Sequence, residues 1–217
     1  STLSSSSAAS DVYKRQNKRC RLLTGIKGLD KITNGGLIPE RSYVVRGGPG
    51  TGKTTFGLHF LTTGVKNDEE VLFITLTEAE EKIIEDAKNR GFNTEKINFF
   101  DMSPSSKFFS ENQEYDIFPS DHVEQKPMID NIVNKLNVLN PDRIFFDGIT
   151  QLKYLSNDSF QYRKKILSFL QLASSKNSTV VLSSEVSDTL PDDDLQFLAD
   201  GVINLEYSND KRTISIT

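Results

Sequence analysis

A short β-branched run, Val44 and Val45, enters the stretch "RGGPGTGKTTFGLHFL", residues 46 to 61, and this constrains the chain more than any other feature. Gly47, four further residues and then Gly52-Lys53-Thr54 form the spacing of a phosphate-binding loop set between a strand and a helix. Glycines at 47, 48, 50 and 52 let backbone N–H groups turn toward phosphate oxygens. A helix starting near Lys53 adds the positive end of its dipole. The loop residues expected to hold the ligand are Gly48, Pro49, Gly50, Thr51, Gly52, Lys53, Thr54 and Thr55. Lys53 neutralises the β and γ phosphates, and Thr54 offers its hydroxyl to Mg²⁺.

The rest of the chain alternates short apolar runs with amphipathic stretches, the pattern of βαβ units and a mostly parallel sheet flanked by helices. Strands are expected at Ser42–Arg46, Val71–Thr75, Ile97–Asp101, Arg143–Asp147, Thr179–Ser183 and Val202–Tyr207. Helical spacing appears in Phe56, Phe60 and Leu61; in Ile83, Ile84 and Ala87; in Ile129, Ile132, Val133 and Leu136; and in Ile166, Phe169, Leu170 and Ala173. Gly91 and Asn140-Pro141 read as helix stops. The last residues, "VINLEYSNDKRTISIT", read as a β-hairpin turning at Ser208-Asn209-Asp210.

At 217 residues the chain holds one sizeable core. Residues 1–17 are serine-rich, without apolar periodicity, and read as a disordered tail or a sequencing scar; residues 18–217 read as the domain. No apolar run approaches the roughly 20 residues of a membrane span. The single cysteine, Cys20, leaves no internal disulfide, which fits a cytoplasmic protein. A net charge of −4 argues against a body that tracks nucleic-acid phosphates. The long polar stretch from Ser103 to Glu124 is either a lid or a flexible loop, and Phe108, Phe109, Tyr115 and Phe118 make it a candidate partner contact.

Mg²⁺-dependent chemistry needs a carboxylate at a neighbouring strand end. "RIFFD" supplies Asp147 in the Walker B form, so Thr54 and Asp147 are the expected metal-binding pair. Hydrolysis also needs a group that orients water. Among Glu78, Glu80, Glu81, Glu85 and Asp86, Glu78 stands nearest the strand end, although all five also suit a solvated helix N-terminus. Ser183, Ser184 and Glu185 end a strand beside the same site, either sensing γ-phosphate or simply terminating the strand. His59 reads as helix structure, and His122 has no spaced ligand partner.

In order, "TGIKGLDKITNGGLIPERSYVVRGGPGTGKTTFGLHFL", "VLFITLTEAEEKIIEDAKNRGF", "RIFFDGIT", "STVVLSSE" and the hairpin resemble the KaiC-like branch of the RecA-superfamily ATPases. The lead-in from Thr24-Gly25-Ile26 to Gly35-Gly36 is specific to that branch. The resemblance implies a RecA-like domain, ATP with Mg²⁺, conversion of ATP to ADP and phosphate, and a homo-oligomeric ring, hexameric in the family. It also implies two adjacent glutamates after the second strand, the first activating water. Thr77 and Glu78 stand there instead, so either Glu78 takes the catalytic role beside Lys53 or turnover is slow. Family members continue past the hairpin into a basic segment that reaches the neighbouring subunit, and this sequence stops before it, at Thr217.

Three functions follow from these readings: a slowly hydrolysing regulatory or signalling switch that acts on an unidentified protein partner, a nucleotide-binding module with negligible turnover, and a recombinase-like DNA-binding ATPase. The acids Asp188, Asp192, Asp193, Asp194 and Asp200 after the fifth strand would repel DNA phosphate and weigh against the third.

Overall fold

The computed structural model describes residues 21–106, 125–154, 156, 158–186, 193–208 and 211–217. The expected N-terminal tail, His122, the aromatic residues of the 103–124 stretch, Asp188, Asp192 and the hairpin turn at Asn209-Asp210 lie outside the described residues, as do the side chains of Ile129, Asp193 and Asp194.

Among the described residues seven strands form one sheet: β1 (Ser42–Gly47), β2 (Val71–Thr75), β3 (Asn98–Asp101), β4 (Arg143–Asp147), β5 (Thr179–Glu185), β6 (Gly201–Ser208) and β7 (Lys211–Ile216). Their order is β3-β2-β4-β5-β1-β6-β7. All pairings are parallel except β6 with β7. This is the α/β architecture with a C-terminal hairpin that the apolar runs predict. β1 and β5 run slightly past their expected ends because the β1–β5 ladder continues to Gly47 opposite Glu185.

Among the described residues the helices are α1 (Lys27–Ile32), α2 (Lys53–Lys66), α3 (Glu80–Asn89), α4 (Gln125–Leu139), α5 (Gln151–Tyr154), α6 (Ser159–Ser175) and α7 (Asp193–Gln196). Strand side chains alternate between two cores, as a period of two requires. Val44, Leu72, Ile74, Ile144, Phe146, Val180 and Leu182 pack against α4 and α6 through Leu136, Tyr162, Ile166 and Phe169. Val45, Val71, Phe73, Phe145, Val181 and Ile203 pack against α1, α2 and α3 through Leu29, Phe56, Phe60, Leu61 and Ile83. With both faces covered, the middle residues of the central strands are apolar on both sides, and the polar ones gather toward the strand ends.

Local chemistry sets the helix ends that position the site. Asp101, at the end of β3, accepts a hydrogen bond from the Glu80 N–H at 2.9 Å and so caps α3. At the other end, Gly91 has φ +81°, with Phe92 N–H bonded to Ala87 O and Gly91 N–H to Lys88 O, the paired bonds of a Schellman stop.

Arg143 begins β4 and is fully buried. It pairs with Glu69 through both Nε and Nη2, and Nη1 donates to the carbonyls of Leu23 and Phe60 at 2.6 and 3.0 Å. One side chain thereby joins the lead-in, α2 and β4, holding the strand that ends in Asp147 against the helix that starts at Lys53.

Candidate active site

The C-terminal ends of β1, β2, β4 and β5 lie on one edge of the sheet, where ligands bind in open α/β folds. β1 ends at Gly47, and α2 starts at Lys53 after Gly52 at φ +105°. Lys53 Nζ donates to the carbonyls of Gly47 and Gly48 at 2.8 and 2.9 Å, and Thr51 Oγ1 to Gly48 O at 2.9 Å. The lysine thus sits within the curl of the loop. Burial pushes its pKa down, while the carboxylates of Glu185 and Asp147 push it back up.

Asp147 is buried, and the register of β4 against β5 places Ser183 beside it. Both carboxylate oxygens are held. Thr54 Oγ1 donates to Oδ2 at 2.9 Å and Ser183 Oγ to Oδ1 at 2.5 Å, while Ser183 Oγ accepts from the Gly148 N–H at 2.8 Å. Burial raises the Asp147 pKa, against the lowering effect of those hydrogen bonds and of Lys53. The sequence reading placed Ser183 at a strand end; its hydroxyl turns out to orient the acid, which only the β4–β5 register reveals.

Thr75 Oγ1 accepts from the N–H groups of Thr77 and Glu78 and donates to Glu78 O at 2.8 Å, making a tight turn after β2. The turn brings Thr77 against Gly148, the residue after Asp147: a Cβ on Gly148, at φ +78°, would meet the Thr77 methyl at 2.3 Å. The Glu78 carboxylate pairs with Lys82, one helical turn on, at 2.8 Å. It also lines a cavity of about 410 Å³ over the glycine-rich loop, with Gly50, Gly52, Lys53 and Thr54. Glu185 ends β5 opposite Gly47 with its side chain exposed, and its N–H donates to Thr150 Oγ1 at 3.1 Å.

Two arginines outside the motif line the same cavity, Arg90 from the end of α3 and Arg212 from β7. Sequence reading missed both, since each lies in an unremarkable polar stretch. Arg90 Nη1 donates to Thr55 Oγ1 at 3.0 Å. His59 lies away from this chemistry, edge-on to Phe92 with ring centres 4.8 Å apart. Among the described residues no group of three or more His, Cys, Asp or Glu gathers as a metal cage, and no helix is long and apolar enough to cross a membrane.

A family model described as "ATPase: KaiC" matches residues 22–217. The chain is 29% identical over 172 residues to a circadian clock oscillator protein KaiC of Parasynechococcus marenigrum, an alignment covering 76% of this chain and 32% of that protein. It is 30% identical over 173 residues to a UPF0273 protein of Pyrococcus horikoshii, covering 77% and 69% of the two chains. A UPF0273 protein of Methanocaldococcus jannaschii is 30% identical over 178 residues, covering 77% and 71%. The chain therefore spans about a third of the KaiC protein and about two thirds of the UPF0273 proteins it matches.

Proposed function

Since the chain belongs to the KaiC family of ATPase domains, and such a domain binds ATP, we propose that it works as a slowly hydrolysing nucleotide switch, with residues 18–217 as its RecA-like unit. The observation that carries this reading is the joining of Lys53, Thr54 and Asp147 at one sheet edge. The loop amides from Gly48 to Thr55 and the Lys53 ammonium hold the polyphosphate. Thr54 and Asp147 fit Mg²⁺: a hydroxyl and a carboxylate oxygen lie 2.9 Å apart, and this ion takes one or two protein oxygens, completing its shell with water and phosphate. Bound there, Mg²⁺ would neutralise charge on the phosphate oxygens. Ser183 keeps the Asp147 carboxylate aimed at Thr54.

Slow turnover is supported by the residue in the turn after β2 that packs against Gly148, next to Asp147. Thr77 presents a methyl and a hydroxyl, neither of them a base near neutral pH, so activation of water falls to Glu78. Glu78 is tied to Lys82 by an ion pair at 2.8 Å, so its carboxylate must leave that partner to reach a water. The same observation favours the second reading, a nucleotide-binding module without turnover.

ATP turnover of the wild type against Lys53→Ala and Glu78→Gln decides between them. A rate abolished by both changes supports the switch with Glu78 as base. Binding without any rate supports the silent module, and a rate indifferent to Glu78→Gln removes that residue from the chemistry. A cytoplasmic homo-oligomeric ring, hexameric as the resemblance implies, and an unidentified protein partner complete the proposal. Mass measurement with and without ATP and Mg²⁺ tests the ring.

A further inference from the structure

The hairpin overhangs the phosphate loop. β1 and β6 run parallel with Arg46 opposite Asn204, and a Cβ on Gly47 would meet the Leu205 carbonyl at 2.7 Å. β6 therefore passes alongside the first residue of the loop. Tyr207 lies two residues further on, roughly 6–7 Å beyond at about 3.3 Å per residue. In the antiparallel ladder Tyr207 pairs with Arg212, whose guanidinium lies 6.0 Å from the centre of the Tyr207 ring. Backbone pairing, rather than side-chain reach alone, delivers Arg212 to the cavity it lines with Gly50, Gly52, Lys53, Thr54 and Glu78.

The other charges around this cavity are committed. Arg90 pairs with Asp86 at 3.7 Å and bonds Thr55, Glu78 pairs with Lys82, and Lys53 bonds two loop carbonyls. Among the described residues Arg212 forms no salt bridge. A guanidinium carries five N–H donors in a planar fork that fits two phosphate oxygens at once. The loop amides and Lys53 already answer the inner phosphates, so an extra cation at the mouth matches the charge that distinguishes a triphosphate from a diphosphate.

We propose that Arg212 binds the terminal phosphate of the nucleotide held by its own chain, so that the C-terminal hairpin reads triphosphate against diphosphate. The inference rests on the ATP reading of the cavity. It makes Arg212 a specificity residue acting in cis, and it ties an edge strand of the sheet to nucleotide state.

The test is equilibrium titration of the full 217-residue chain with Mg²⁺ and either ADP or a non-hydrolysable ATP analogue, for wild type, Arg212→Ala, Arg212→Lys and Lys53→Ala. Arg212→Ala is expected to lose ~10–100-fold in affinity for the triphosphate and less than ~3-fold for ADP, as for a charge-assisted bond made only to the former. Arg212→Lys falls between, since a point charge lacks the fork. The melting temperature of nucleotide-free Arg212→Ala should match wild type, because the side chain is exposed. Triphosphate binding equal to wild type, or equal weakening for both nucleotides, overturns the proposal.

Mixing Arg212→Ala with excess Lys53→Ala, which keeps its arginine but loses its own site, separates cis from trans. Affinity that stays low supports the cis contact, and restored affinity overturns it. Wild type that binds neither nucleotide, or Lys53→Ala that binds both normally, defeats the ATP reading and this inference with it; wild-type binding matched by Arg212→Ala defeats the inference alone.

Discussion

Thr54, in the first turn of α2, donates its hydroxyl proton to Asp147 at the end of β4 across 2.9 Å. Two residues 93 positions apart in the chain thus form one pair of hard oxygen donors beside a lysine. Ser183 holds the opposite oxygen of the same carboxylate. The acid is fixed in direction before any ligand arrives, the preorganisation a metal–phosphate site needs.

That arrangement carries a stability cost. Burial raises the folded pKa of Asp147 above its unfolded value near 4. A raised pKa means that the group's favourable contribution is fully present below the unfolded value and is lost as pH rises through the folded one. At neutral pH, above the unfolded value, burying this acid therefore weakens the nucleotide-free protein. Asp147→Asn should raise the nucleotide-free melting temperature at pH 7, by roughly 2–4 °C for each kcal/mol gained. It should also abolish the Mg²⁺-dependent gain in nucleotide affinity. Calorimetry across pH 4 to 8 checks the first, and titration with and without EDTA the second.

Lys53→Ala removes the cation inside the loop while leaving its backbone turns in place. Nucleotide affinity is expected to fall by at least ~100-fold, the scale of a lost charge-assisted contact in a partly buried site. Circular dichroism should be unchanged. Near-normal binding would defeat the reading of this loop as the nucleotide site.

Thr77 stands against Gly148, next to Asp147, with no basic group to offer. A carboxylate grafted there gains general-base reach, worth typically 10²–10⁴-fold. Thr77→Glu should raise ATP turnover at least ~10-fold, and Thr77→Gln should not. The exposed position accommodates the longer side chain, so equal expression and melting of the two variants controls for misfolding.

Arg143 is expected to be a structural keystone with no part in the chemistry. Breaking a buried ion pair by removing one partner costs about 3–5 kcal/mol, because the other charge is left unanswered; here Glu69 keeps part of its surface in water, so the lower end applies. Arg143→Met retains volume and tests the charge alone. Urea denaturation should show a lowered midpoint, and saturating ATP with Mg²⁺ should recover part of the loss by mass action.

Much of the fold was legible because its signals are local. Val71–Ile74 and Ile144–Phe146 are continuous apolar runs, and such runs become strands buried on both faces. The loop before Lys53 is recognisable because glycine spacing and a following helix suffice to make an anion site. α1, α5 and α7 were not expected, being only 6, 4 and 4 residues long, too short to show a helical period. Arg90 and Arg212 carried no signal at all.

The sequence by itself determined the glycine-rich turn before Lys53, the strand–helix alternation and the family, since each depends on spacings of a few residues that the sequence expresses directly. Only the tertiary structure decided that Ser183 aims Asp147, that Thr77 closes over Gly148 and that Arg212 hangs above the loop. Those relationships arise from strand order and register, where residues dozens to more than a hundred positions apart are brought together by burying both faces of one sheet.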